Sequence, residues 1–106
     1  MKHPNVMISQ LTWSGISIEI EYTPSFSDIF EKIYGYKLAH IVIKTVDPDK
    51  SPLPITKSGY LSHFCPSHFV DNEGSPNDFV IAWLEESAKS YQWINYEAEA
   101  RQGQLF

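Results

Sequence analysis

Ile16-Ser17-Ile18-Glu19-Ile20-Glu21-Tyr22 alternates apolar and polar side chains without a break. A period of two puts Ile16, Ile18, Ile20 and Tyr22 on one face of a β-strand and turns Ser17, Glu19 and Glu21 to water. Just upstream, Met7, Ser9, Leu11 and Trp13 share one face of another β-like segment, and Ser14-Gly15 separates the two. Glycine tolerates the positive φ of a tight turn, so these two segments are predicted to form a β-hairpin.

On the C-terminal side the pattern becomes mixed. Ser27-Asp28 is suited to cap a short helix through Ile33, with Gly35 ending it, as an insertion between strands. Leu38 to Val46 returns to strand chemistry, with Ala39, Ile41 and Ile43 on one face and His40, Val42 and Lys44 on the other. Pro48, Pro52 and Pro54 then remove donors that a ladder would need, which marks a loop. A fourth strand is predicted from about Ile55 to Phe64.

Past Pro66 the chemistry is helical. Ser75-Pro76-Asn77-Asp78 combines a capping serine, a proline at the first helical position and an acid in the first turn. Phe79, Val80, Trp83, Leu84 and Ala88 follow on one helical face. A further helix is predicted from about Ser90 to Arg101, carrying Tyr91, Ile94 and Ala98 inward. That leaves Trp93, with Tyr96 and Ala100, as a candidate interaction surface. The expected fold class is α+β over residues 1–101: an antiparallel four-stranded sheet, made of the N-terminal hairpin plus two strands, packed by two C-terminal helices. Residues 102–106 form a separate tail.

At 106 residues, with 42% apolar and 14% aromatic side chains, the chain supports one folded core without disulfides or a structural metal. Cys65 is the only cysteine, so no intrachain bridge forms and a reducing compartment fits best. Met1-Lys2-His3-Pro4-Asn5 has no apolar signal-peptide core, and no run approaches the roughly 18 apolar residues that span a bilayer. A cytoplasmic location is therefore expected, with no membrane association. The net charge is −5 and the eight basic residues are scattered, which argues against direct nucleic-acid binding.

The last residues, Gln102-Gly103-Gln104-Leu105-Phe106, place two large apolar side chains on the final two positions. This pentapeptide resembles the short motif by which many bacterial replication and repair proteins dock onto the DNA polymerase sliding clamp. The resemblance implies that Gln102 hydrogen-bonds at the rim of the partner's pocket while Leu105 and Phe106 enter an apolar cleft. Gly103 stands where that motif usually has an apolar residue, and Gln104 where it often has Ser or Asp. A second resemblance runs through Pro54-Ile55-Thr56, Gly59-Tyr60, Ser62-His63-Phe64 and Ala82-Trp83-Leu84. These are similar to a set of small uncharacterised bacterial proteins, some plasmid-borne, and the similarity implies no catalytic role.

One segment contains possible metal ligands or a nucleophile. His63, Cys65 and His68 fall within six residues, with His40, Asp71 or Glu73 as the nearby chemistry for a fourth zinc ligand. A histidine beside Cys65 would favour a thiolate. The spacing matches no standard zinc pattern, and Cys65, between aromatic neighbours, reads more simply as a small buried hydrophobe. His40 is a candidate to line a groove with His63. No glycine-rich phosphate loop or nucleophile elbow is present, so no cofactor is expected. The function expected is a non-enzymatic protein-interaction domain docking through Gln102, Leu105 and Phe106, with the sliding clamp the most specific partner. The alternative is a small zinc-dependent or thiol enzyme built on His63, Cys65 and His68.

Overall fold

A computed structural model describes residues 5–103, with side chains over residues 5–100. Strands β1 (Met7–Trp13), β2 (Ile16–Thr23), β3 (Leu38–Asp47) and β4 (Tyr60–Pro66) form one antiparallel sheet in the order β1-β2-β3-β4. Helix α1 (Asp28–Tyr34) lies between β2 and β3, and α2 (Ser67–Glu73), α3 (Pro76–Ser87) and α4 (Tyr91–Gly103) follow β4. The fold is α+β, with the longer helices in the C-terminal half.

Sequence period and sheet register agree through the centre. Ser14 and Gly15 turn β1 into β2 with φ of 51° and 78°, the two positive values a two-residue hairpin with right-handed strand twist requires. Register pairs Ile20 with Ile43 and Tyr22 with Ile41, while Ile43 meets Leu61 and Ala39 meets Cys65. All of these side chains share the face that α3 and α2 cover. Ile18, Ile20, Ile41 and Ile43 are fully buried there with Leu84 and Val80 of α3 and Val70 of α2. Ser75 holds α3 in place by accepting from the Asp78 backbone N–H at 3.1 Å. Ser9 Oγ donates to Asn77 Oδ1 at 2.7 Å, tying the start of the same helix to β1.

The structure departs from the sequence expectation in three places. β4 begins at Tyr60 rather than Ile55, because Leu53 and Thr56 exchange backbone hydrogen bonds of 2.8 and 3.1 Å that curl the chain into a turn. Leu53, 2% exposed, plugs the core from this loop. Helix α2 was not anticipated. It has no side-chain cap and starts directly from the strand at Pro66, with the Ser67 N–H donating to the Lys37 carbonyl at 2.9 Å.

The third departure is the inward face of α4. Tyr91 and Ile94 are exposed, and Trp93 is buried. Two stripes of equal helical spacing compete here, Tyr91-Ile94-Ala98 and Trp93-Tyr96-Ala100. The indole has the larger apolar surface and wins, packing on Trp13 at 6.2 Å. Ser90 starts the helix by accepting from the Trp93 N–H at 3.2 Å. The helix then continues through Gly103, past the expected end at Arg101.

Gly59 closes the loop against β3, and its carbonyl accepts from the Thr45 N–H at 2.8 Å. Its φ is +77°, and an added Cβ would collide with Thr45 Oγ1 and come within 2.8 Å of the Lys50 carbonyl carbon. At Gly35, also left-handed with φ +80°, a Cβ would meet nothing. Gly35→Ala should therefore cost only the left-handed backbone penalty of about 1–2 kcal/mol. Gly59→Ala adds steric overlap and should cost roughly 3 kcal/mol or more. Urea unfolding of the two variants checks the order.

Candidate functional site

The His63–His68 segment is split by the fold. Period-two alternation on β4 puts Leu61, His63 and Cys65 on the helix-covered face and Tyr60, Ser62 and Phe64 on the other. The His63 ring packs 4.7 Å from Trp83 of α3, and burial pushes its pKa below the ordinary 6.5. Cys65 is buried beside Ala39 with its thiol pKa pushed up by desolvation, which keeps it protonated and disfavours a nucleophilic thiolate. His68 has left the strand for α2, where it is exposed and lies edge-on to Tyr36 and Phe69. Among the described residues no group of three or more His, Cys, Asp or Glu side chains is placed to hold a metal ion.

The Tyr22 hydroxyl lies on the same side and has no hydrogen-bond partner among the described residues. Burial, with the charge of Asp71, pushes its pKa up to about 12. A neutral phenol, a protonated thiol and a depressed imidazole are what an apolar interior does to titratable groups. Nothing in their arrangement aligns an acid with a base.

His40 does not share a groove with His63, because β3 turns it to the opposite face of the sheet. There its Nε2 and Ser62 Oγ share a 2.6 Å hydrogen bond, and its ring stacks 4.4 Å from Phe64. Phe26 closes this small cluster at 5.2 Å from His40 and 5.1 Å from Phe64. Farther along the same face Lys44 bridges Glu19 at 3.2 Å and Glu21 at 4.0 Å. These partly exposed pairs offset one of the two carboxylates and keep the open face wet without adding much stability.

Two elements lie outside the core. Helix α1 has no buried residue, and Ile29 and Ile33, one turn apart, are 70% and 66% exposed. It is held by its cap, with Ser27 Oγ accepting from the Phe30 N–H at 3.1 Å, and by Phe30 packing on Tyr36 at 5.3 Å. Sequence reasoning treated this stretch as a simple insertion. Its signal was the density of large apolar residues in seven positions, more than so short a helix can bury.

Helix α4 is the other element. Over residues 91–100 Trp93 alone is buried. A cleft of about 540 Å³ separates the helix from the loop, lined by Pro52, Leu53, Pro54, Trp93, Tyr96 and Glu99 among others. Of the predicted docking residues, Gln102 falls within the last turn of α4, its side chain outside the described residues. Leu105 and Phe106 lie wholly outside the described residues. Among the described residues no helix is long and apolar enough to cross a membrane.

The family model described as the KlcB third domain matches residues 7–93. The match opens on the first residue of β1 and closes on Trp93, the residue that fastens α4. No curated protein and no solved structure matches the chain.

Two measurements test this site. Because burial makes His63 harder to protonate in the folded protein than in the unfolded chain, its contribution to stability is complete above about pH 6.5 and declines as the pH falls below that value. The urea midpoint should drop on acidification through this range, and His63→Phe should flatten that part of the profile. The buried Cys65 thiol should react with iodoacetamide at neutral pH at least about 100-fold more slowly in the native protein than in urea. Fast native alkylation would expose an activated thiolate.

Proposed function

The chain belongs to the KlcB third-domain family, and from that premise we propose that it is a non-enzymatic protein-interaction domain whose C-terminal helical arm carries its docking residues to a partner. One observation carries this reading: beyond Trp93 the helix buries no residue through Ala100 and lies outside the family match. A helix adds about 1.5 Å per residue, so the residues after Trp93 hold the chain roughly 15 Å from their anchor. Tyr96 and Glu99 face the cleft rather than the core.

Gln102, Leu105 and Phe106 are the contact residues in this proposal, and the bacterial DNA polymerase sliding clamp is the most specific partner. A bacterial setting is part of the proposal, as is the plasmid association of the related proteins. The family takes its description from a third domain of KlcB, a module that accompanies others in that protein. Such a setting suits recruitment better than self-contained catalysis. The burial of Cys65 and partial burial of His63, and their separation from exposed His68, support the same choice.

Calorimetric titration of the intact chain against purified clamp should give affinity in the micromolar range, the level two apolar anchors reach after ordering costs. Deleting the last five residues should abolish binding and leave the urea midpoint unchanged. No binding by the intact chain overturns the clamp as partner. A large loss of stability on deletion overturns the docking role of the tail.

A further inference from the structure

The Asn77 side chain, in the first turn of α3, ends on the outer edge of the sheet. We infer that Asn77 is a clasp that closes the free edge of β1 and keeps the chain from pairing edge to edge with a second copy.

The hairpin determines which way the backbone of β1 points. Trp13 and Ile16 flank a two-residue turn and pair with each other, so they exchange both backbone hydrogen bonds, and the pattern alternates from there. Trp13, Leu11, Ser9 and Met7 therefore bond to β2, while Thr12, Gln10 and Ile8 turn their N–H and C=O groups away from it. Because β1 is an edge strand, these three residues carry the groups that β2 leaves unpaired. Asn77 Nδ2 donates to the carbonyl of Gln10, the middle one, at 3.4 Å. A carbonyl can only accept, so the amide nitrogen faces Gln10 and the amide oxygen is left to accept from Ser9 Oγ at 2.7 Å. One side chain thus reaches from the covered face of the strand to its edge.

The rest of that edge has little else to guard it. Edge strands are commonly kept apart by lysines, prolines or bulges. Between Asn5 and Ile18 there is no charged residue and no proline, and the seven residues of β1 pair with β2 without a bulge. Val6, Met7 and Ile8 are each at least half exposed. The opposite edge strand differs, since β4 ends in Pro66 and passes directly into α2. What β1 leaves open is an extended row of backbone donors and acceptors, which another extended backbone matches. A second copy of β1 fits it without opposing like charges. Antiparallel pairing about a two-fold axis at Gln10 sets Ile8 against Thr12 of the other copy and Met7 against Trp13. That pairing needs Gln10 at its centre, the residue that Asn77 holds.

Sedimentation velocity and amide hydrogen exchange on the full chain at roughly 10–100 µM test the clasp. The wild type should sediment as a monomer, with fast exchange at the amides of Ile8, Gln10 and Thr12. Asn77→Ala should strengthen self-association at least about 100-fold and slow those three amides about 10-fold. Asn77→Ser, polar but too short to reach both partners, should do the same, which covers the case in which alanine loosens the start of α3. Adding Gln10→Pro to either variant should return the monomer, because an outward-facing N–H is where an edge strand tolerates proline. Folded Asn77 variants that stay monomeric overturn the inference, as does a dimer whose Ile8, Gln10 and Thr12 amides remain fast. A wild type that already pairs through these amides overturns it too. Loss of folding in both Asn77 variants would make the residue an anchor of α3 and likewise remove its role at the edge.

Discussion

Everything in this molecule depends on the meeting of Ile18, Ile20, Ile41 and Ile43 with Leu84 and Val80. Four β-branched side chains on the two central strands make a stiff apolar floor, and α3 sets its buried residues onto it. Full burial of such side chains contributes about 1.5–3 kcal/mol each, so this small group supplies much of the margin by which a domain of this size stays folded. The Ser75 cap and the Ser9–Asn77 hydrogen bond determine where α3 lands, and the hairpin turn determines which face it finds. The peripheral features are arranged around that contact: Leu53 plugs it from the loop, Val70 from α2, and Trp93 borders it through Trp13.

The core leaves one side of the sheet open and two helices hardly engaged. On the open side Lys44 lies between Glu19 and Glu21, and the His40 ring stacks on Phe64 with Phe26 tilted against both. Such a surface can face water indefinitely. Helix α1 differs, because its outward isoleucines have no counterpart among the described residues, whereas α4 exposes Tyr91, Ile94 and Tyr96 interleaved with polar residues. The molecule thus has an apolar end and a projecting end, both separate from the interior where its titratable groups are held neutral.

The hairpin, β3 and α3 were legible in the sequence because each carries two agreeing signals, a period and a turn or cap. Ser14-Gly15, the Ile-x-Ile runs and Ser75-Pro76 needed no tertiary context. Where local pattern was ambiguous, packing decided. Ile55 reads as the start of a strand, yet the hydrogen bonds between Leu53 and Thr56 close a turn there and β4 waits until Tyr60. The short α2 has no capping side chain and owes its position to a backbone bond from Ser67 to Lys37, which no local reading reveals. On α4 two stripes matched the helical period equally, and only the neighbouring Trp13 shows why Trp93 is the one turned inward. The placement of Cys65 in the core was legible from its alternating neighbours. The separation of His68 from His63 was not, because it depends on the strand becoming a helix at Pro66.

Among the described residues of α4 one indole alone is buried, which also limits how the two halves of the molecule can influence each other. A ligand held at the far end of the helix can bias the domain only through contacts that differ between docked and undocked arm. Here the main such contact is Trp93, and truncating a buried tryptophan costs at most about 3–5 kcal/mol. That figure is a ceiling on the coupling free energy between arm and sheet, and any residual contact retained after undocking lowers it. The arrangement is therefore that of a tether, in which whatever capture at one end does to the other passes chiefly through the Trp93–Trp13 contact.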